Sequence, residues 1–200
     1  MFMNTFVIAI FTCIISTIFV LSVAYSMSRM RFKMRKPFMN IAMIIGLFPS
    51  FMSMIAVYYI LRALNLADGA MIRVALIIVF SAGSGAGFYV AKGFFDTISK
   101  SLDEAAIIDG ATRWNVFTKI TVPLSKPIIV YTILTSFMGP WVDFIFGKVI
   151  CRADAQYYTV SIGLWKMLEK EYIDSWYTCF AAGAVVVSIP IAILFLMTQK

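Results

Sequence analysis

Apolar residues in this sequence collect into long runs separated by short polar stretches. Five runs are long enough for a helix to cross the hydrocarbon core of a bilayer, which takes about 20 mostly apolar residues. We predict spans over residues 5–25, 38–61, 72–95, 128–149 and 178–197. The pattern therefore predicts an all-α fold, a polytopic transmembrane helix bundle that forms a single domain over residues 1–200.

Basic residues between the spans predict which side of the membrane each connection occupies. Residues 26–37 hold five Lys or Arg and no acid, and residues 92–127 hold five more. Such an excess is typical of cytoplasmic segments, so we place both there, together with the C-terminus. The N-terminus and residues 148–177 then lie outside. A basic cluster that follows the first apolar run, rather than preceding it, argues against a cleaved signal peptide.

The composition agrees with a membrane protein and excludes several activities. Of the 200 residues, 62% are apolar and 14% are charged, whereas a soluble domain has about 45–50% and 25%. The net charge of +7 reflects the cytoplasmic segments, so we predict contact with the lipid bilayer and none with nucleic acid. Because the chain has no histidine, it lacks imidazole general-base catalysis and His-ligated metal sites. We expect no catalytic residue and no metal or cofactor site in this chain.

Small residues run through the third predicted span. Gly83 and Gly87 are spaced for close packing between two helices. The sequence after Gly87 fails both the Walker pattern and the dinucleotide fingerprint. Helix packing is therefore the favoured interpretation.

Two further residues inside spans leave alternatives open. Pro49 is either a static kink in the second span or a hinge. Asp143 is either a functional carboxylate within the fourth span or an interfacial residue paired with Lys148. Cys151 and Cys179 both fall near the outer surface, where a disulfide is possible, although spacing favours free thiols.

The predicted cytoplasmic loop, residues 96–126, reads as two short helices. Ser101 is the expected N-cap of the first, with Glu104 completing a capping box. The first helix should end at Asp109 and Gly110, and Thr112 should cap the second. We expect Pro123 to stop the second helix, and Pro127 to lie in the first turn of the next span. Each helix is too short to cross a membrane.

The small face of the first short helix permits two interpretations. Ala105 and Ala106 with Gly110 would let it enter a narrow groove on another protein. Alternatively, the hairpin lies on the membrane surface and only links two spans. The physical arguments alone leave both open.

The spacing of these loop residues resembles a known family. Glu104-Ala105-Ala106, three residues, Gly110, nine residues, Ile120, one residue and Val122-Pro123 follow the pattern E-A-A-x3-G-x9-I-x-L-P, with Val122 in place of leucine. This is similar to the EAA loop of permease subunits of bacterial ABC importers. Ala24-Tyr25-Ser26 and Arg29-Met30-Arg31-Phe32 resemble the smaller permease of maltose-type sugar importers.

The resemblance implies a function and a set of partners. The chain would move an oligosaccharide inward by alternating access, with ATP and Mg²⁺ on a separate subunit and none in this chain. Its partners would be an ATP-binding cassette subunit dimer, a second homologous permease subunit, and an extracytoplasmic sugar-binding protein that faces the outer segment 148–177. The residues expected to couple to the ATP-binding subunit are Asp103, Glu104, Ala105, Ala106, Asp109, Gly110, Ile120 and Pro123.

Three further expectations concern the ends of the chain, the outer aromatic residues and the alternative functions. Permeases of this kind have six spans, so five spans with the N-terminus outside suggest that the chain lacks the family's first span and C-terminal tail.

The outer aromatic residues either contact the sugar or another protein, or form a belt at the membrane interface, and the belt is favoured. These residues are Trp165, Tyr172, Trp176 and Tyr177. An ion-coupled secondary transporter is the alternative function, although it would need intramembrane carboxylates and inverted repeats. An intramembrane enzyme would need converging catalytic side chains, which the spans do not show.

Overall fold

The computed structural model describes residues 1–47, 50–152, 154–169 and 173–198, which form twelve α-helices and no β-strand. The prediction of an all-helical fold is confirmed. The helices are α1 (Phe2–Arg29), α2 (Arg35–Gly46), α3 (Ser50–Ala63), α4 (Met71–Gly83), α5 (Phe88–Thr97), α6 (Lys100–Ile108), α7 (Arg113–Val116), α8 (Val122–Leu124), α9 (Lys126–Val142), α10 (Ile145–Cys151), α11 (Val160–Met167) and α12 (Ile173–Thr198). Short 3₁₀ turns cover Ser84–Gly87 and Ala155–Tyr157, and a π-helical turn covers Phe117–Thr121.

Helix α1 lies at the centre of the bundle and packs against α4, α5 and α9. It contains neither proline nor glycine, so nothing in its sequence interrupts 28 residues of helix. Its buried side chains recur every three or four positions and therefore lie on one face. Many of them are small, such as Thr12, Ser16 and Ala24, which are nearly fully buried. Small side chains allow neighbouring helices to approach closely.

Apolar clusters bury both ends of α1. Near its start, Ile8 packs in a cluster with Leu76, Ile150 and Ile162. Near its end, Val20 and Ala24 pack with Phe88 and Phe95. Because both clusters include residues of α1, this helix connects the two clusters.

In the part of the chain that the structure describes, fewer single helices are long enough to cross a bilayer than the five predicted spans would require. Only α1 and residues Ser175–Thr198 of α12 are, among the described residues, single helices long and apolar enough to cross a bilayer. Two bent pairs raise that number to four if each pair is one span: α4 with α5, bent by 42°, and Arg113–Leu124 with α9, bent by 81°. The second predicted span falls on α2 and α3, with a turn at Leu47. Pro49 lies outside the described residues, so five spans stays a prediction.

The glycine run interrupts the helix of the third predicted span. Helix α4 ends at Gly83, and the 3₁₀ turn follows. Glycine in a helix interior costs about 1 kcal/mol relative to alanine, and the run contains three glycines, so the α-helix breaks there. A Cβ on Gly87 would meet Val20 of α1 at 3.8 Å, whereas one on Gly83 would meet nothing within 4 Å. Close packing within this chain is therefore present at Gly87, and for Gly83 helix packing stays a prediction.

Candidate functional site

The helix predicted to couple to another subunit is α6, which begins earlier than expected. Ser99 is its N-cap, because the Ser99 hydroxyl accepts a hydrogen bond from the Ser101 amide at 3.3 Å. Ser101 lies inside the first turn, and its hydroxyl hydrogen-bonds that of Ser99 at 2.7 Å. The predicted capping box of Ser101 and Glu104 is therefore wrong: the backbone is already extended at Ser99, where a serine oxygen reaches the free amides of the first turn.

The end of α6 follows the prediction. Asp109 is the C-cap and Gly110 has a φ of +84°, the left-handed conformation that glycine adopts without strain. The Gly110 amide donates to the Ile107 carbonyl at 3.0 Å, and the Ala111 amide donates to the Ala106 carbonyl at 2.9 Å. These two bonds form a Schellman motif, which satisfies the last carbonyls of the helix and turns the chain sharply.

The second half of the loop bends around a proline. Thr112 is the N-cap of α7, as predicted, and accepts a hydrogen bond from the Asn115 amide at 3.2 Å. Pro123, expected to stop the helix, lies within α8 instead, and the helical path ends at Leu124. A proline cannot donate to a carbonyl and its ring collides with the preceding turn. The wider π-helical turn before Pro123 accommodates both effects, with the Val122 amide donating to the Phe117 carbonyl.

Helix α6 presents an apolar face that none of the described residues covers. Leu102 is 45% exposed and Ile108 is 84% exposed. Ala105 lies between them on the same face and is also exposed. An exposed apolar face of this kind fits a groove on another protein and also fits the surface of the membrane, so both interpretations of the loop stay predictions.

The opposite side of α6 is held by the end of α1. The Arg29 Nε lies 3.0 Å from the Asp103 Oδ2, and the two side chains are 5% and 13% exposed. The Arg29 Nη2 also donates to the Ile98 carbonyl at 2.9 Å. Tyr25 donates to the Arg113 carbonyl at 3.3 Å, and its ring lies 4.7 Å from that of Phe117. Helix α1 is thus connected to both halves of the loop.

The eight residues predicted to form the coupling site occupy different environments. Asp103 pairs with Arg29, while Ala106 and Ile120 are half-buried. Exposed residues form the rest of the set: Glu104, Ala105, Asp109, Gly110 and Pro123. Sequence reasoning missed Arg29 and Tyr25 as the anchors. Arg29 could not be distinguished from the other four basic residues of segment 26–37, because only the fold shows which one reaches α6.

A second feature is a cavity of about 610 Å³ between α1, α4 and α9. Polar side chains of α9 line it, including Tyr131, Thr135 and Ser136. Thr135 donates to the Tyr131 carbonyl of its own helix at 2.9 Å, so its oxygen keeps free acceptor capacity toward the cavity. Tyr131 is 49% exposed. Apolar residues such as Val79, Phe80 and Phe146 line the rest of the cavity, so its surface is mixed.

Asp143 ends α9 at the edge of this cavity. Its Oδ1 accepts a hydrogen bond from the Gly147 amide at 3.1 Å, at the start of α10. The Lys148 ammonium lies instead 5.5 Å from the centroid of the Tyr158 ring. The predicted pairing of Asp143 with Lys148 is therefore wrong: the carboxylate satisfies the free amides of a helix start, where partial positive charge favours it.

The cysteines are as predicted, and the exposure of the outer aromatic residues leaves both of their predicted roles open. Cys151 is buried and Cys179 is exposed, and both are free thiols, as predicted. Trp165, Trp176 and Tyr177 are exposed, at 52%, 47% and 62%. Their exposure fits both an interfacial belt and a contact surface. Tyr172 lies outside the described residues.

Comparison with known proteins assigns the family. Residues 17–199 match the family described as binding-protein-dependent transport system inner membrane component. The chain is 34% identical over 200 residues to the galactooligosaccharides transport system permease protein GanQ of Bacillus subtilis, covering all of this chain and 69% of that protein. The chain belongs to this family. This permease is also 31% identical to the maltodextrin transport system permease protein MalD of Streptococcus pneumoniae, covering 100% of this chain and 70% of MalD.

A solved structure agrees with this assignment. A chain of a bacterial ABC transporter involved in the import of the acidic polysaccharide alginate superposes with a TM-score of 0.78 at 26% identity. The match covers 100% of this permease and 73% of that chain. The permease is thus a multi-pass protein of the cell membrane, as predicted, and not an ion-coupled secondary transporter. Membership of a binding-protein-dependent system implies an importer with ATPase and substrate-binding partners.

Proposed function

We propose that this permease moves an oligosaccharide into the cell by alternating access, driven by ATP that is bound and hydrolysed with Mg²⁺ on a separate subunit. The names of its relatives, which transport galactooligosaccharides and maltodextrins, support a carbohydrate of this kind. Two ATP-binding cassette subunits, a second homologous permease and an extracytoplasmic sugar-binding protein would complete the transporter.

The observation that carries the proposal is the two-sided character of α6. One side presents Ala105 and Ile108 outward, while the other side is tied to α1 by the Arg29–Asp103 ion pair. A groove on the ATP-binding subunit would receive the outward side. Closure of that subunit would then displace α6, and the ion pair would pass the displacement to α1. Because α1 packs against α4, α5 and α9, the bundle would re-orient as a whole.

The cavity between α1, α4 and α9 is the part of the chain best suited to line the sugar path. Hydroxyl groups and an aromatic ring are the groups that bind carbohydrates through hydrogen bonds and stacking, and Tyr131 and Thr135 supply them. Two permease subunits would enclose the path between them. Asp143 at the edge of the cavity would then meet the sugar near the outer side.

Charge reversal at Glu104 tests the coupling. Glu104 is exposed, so Glu104→Arg should leave folding and membrane insertion intact. We expect uptake of labelled oligosaccharide in proteoliposomes to fall to background, while ATP hydrolysis by the assembled transporter continues. Glu104→Gln, which removes charge without reversing it, should give an intermediate loss. Normal uptake by the Glu104→Arg variant, present at its usual level in the membrane, would refute the proposed role of α6.

A further inference from the structure

A strongly basic cleft lies where the end of α1, the start of α2 and the loop helices α6 and α7 meet. Its volume is about 190 Å³. Five cationic side chains and two carboxylates line it: Arg29, Arg31, Arg35, Lys100, Arg113, Asp103 and Glu104. The cleft therefore has an excess of three positive charges.

Nearby carboxylates reduce this excess only in part. Asp103 is paired with Arg29, and Glu104 is exposed. Asp96 interacts with the charge of Arg35, but it is held by Lys92 at 2.5 Å and accepts a hydrogen bond from Ser28 at 2.6 Å. The remaining positive charges repel one another, so an anion that enters the cleft is attracted to it.

Arg29 supplies an independent sign of a missing acceptor. Its side chain is 5% exposed, with Nε beside Asp103 and Nη2 bonded to the Ile98 carbonyl. Its Nη1 is buried and has no hydrogen-bond partner among the described residues, and the same holds for the Oδ1 of Asp103. A buried guanidinium nitrogen without an acceptor is costly, and such nitrogens match the oxygens of a phosphate group.

The position of the cleft identifies the source of that phosphate. Helix α1 ends at Arg29 and α2 begins at Arg35, so the cleft lies at the headgroup level of the leaflet predicted to be cytoplasmic. Clusters of four to eight basic residues beside a membrane helix attract anionic lipids. We propose that the cleft binds the phosphate group of an anionic phospholipid, and that this lipid holds α6 against α1. The proposal rests on the proposed function only for the side of the membrane that the cleft faces.

The chain offers a matched pair of variants to test this site. Arg31 and Arg35 line the cleft, whereas Lys33 and Lys36 belong to the same basic segment and do not. Arg31→Gln/Arg35→Gln and Lys33→Gln/Lys36→Gln therefore remove equal charge. Native mass spectrometry of the assembled, detergent-purified transporter, titrated with phosphatidylglycerol or phosphatidylcholine, would count bound lipids. The measurement needs no transport, so it is independent of the Glu104 result.

We expect wild type to retain phosphatidylglycerol in preference to phosphatidylcholine. The cleft variant should bind phosphatidylglycerol about tenfold more weakly, and the lysine variant should bind it nearly as wild type does. Equal weakening in both variants, or no preference for phosphatidylglycerol in wild type, would overturn the proposal. A third arm adds inorganic phosphate in excess. Displacement of the lipid confirms recognition of the phosphate group, whereas a phosphate adduct without any lipid adduct would overturn the assignment to lipid.

Discussion

The two ends of α1 each hold a polar attachment, and the two attachments differ in kind. At the start of α1, the Asn4 amide donates to the Gln156 carbonyl at 2.7 Å, and the Thr5 hydroxyl accepts from the Val160 amide at 2.8 Å. Both side chains are buried, and so are the residues from Tyr157 to Val160 in the segment they hold. At the other end, one ion pair connects α1 to α6, whose opposite face remains exposed.

From this difference we expect the start of α1 to stay packed and α6 to be the part that moves. Neutral hydrogen bonds inside an apolar cluster fix the segment around Tyr157 and Val160 to α1, so we expect these parts to move together. Helix α6 buries little apolar surface. Its position therefore depends on the contacts that Arg29 and Tyr25 of α1 make with the loop. A displacement applied to its free face can therefore reach α1 without unfolding the bundle.

The largest effect is expected from breaking the inner attachment. Asp103→Ala leaves the Arg29 charge buried without its partner, which costs about 3 kcal/mol. We expect a lower unfolding temperature of the assembled transporter and fewer sugars imported per ATP hydrolysed. The double variant Arg29→Ala/Asp103→Ala removes the orphaned charge and should recover part of the stability. Additive losses in a double-mutant cycle would show that the two residues act separately.

A smaller effect is expected at the outer attachment. Thr5→Val keeps the shape of the side chain but leaves the buried Val160 amide without an acceptor, at a cost of about 2 kcal/mol. Thr5→Ser keeps the hydroxyl and serves as the control. Thermal unfolding should separate the two variants, while the ratio of sugar imported to ATP hydrolysed stays at the wild-type value. A changed ratio in Thr5→Val would contradict the idea that coupling resides at the inner end.

A still smaller effect is expected from a substitution in the turn that follows α6. Gly110→Ala forces a side chain into the left-handed region, at a cost of about 1–2 kcal/mol. Its control is Gly93→Ala in α5, where the added Cβ meets nothing within 4 Å. Uptake should fall several-fold only for Gly110→Ala, because the direction of α6 changes. Equal uptake by both variants would mean that the turn does not position α6.

The smallest effect concerns the chemical reactivity of Cys151. Burial, with a further contribution from the Asp154 charge, raises the pKa of the Cys151 thiol to about 12. Thiolate is the reactive form, so it stays scarce at Cys151 until the pH approaches that value. In the folded transporter, N-ethylmaleimide should leave Cys151 unmodified at both pH 7 and pH 9, as measured by peptide mass spectrometry. Modification that rises across this range would place the thiol in contact with solvent.

Sequence reasoning succeeded where a local rule determines the structure. The Gly110 turn and the Thr112 cap depend on residues within four positions, and both were predictable. The N-cap of α6 was placed two residues late because Ser99 and Ser101 satisfy the same rule, and only the backbone conformation selects between them.

Features that depend on tertiary contacts could not be predicted from the pattern of apolar and polar residues. Arg29 lies 74 positions before Asp103 and is one of five basic residues in its segment, so no local signal selects it. The break after Gly83 also divides a span that hydropathy shows as continuous. Hydropathy measures the length of an apolar run and does not report how the helix inside it bends.

The central claim is that the exposed face of α6 binds an ATP-binding subunit. The most direct test replaces Ala105 with a photoreactive amino acid in native membranes and identifies the crosslinked product by mass spectrometry. Val185, which is 64% exposed on α12, is the matched control because it lies within the last predicted span, away from the loop. We predict that position 105 captures an ATP-binding subunit and that position 185 does not. If position 105 captures only lipid in a transporter that still co-purifies with its ATPase, the claim is wrong.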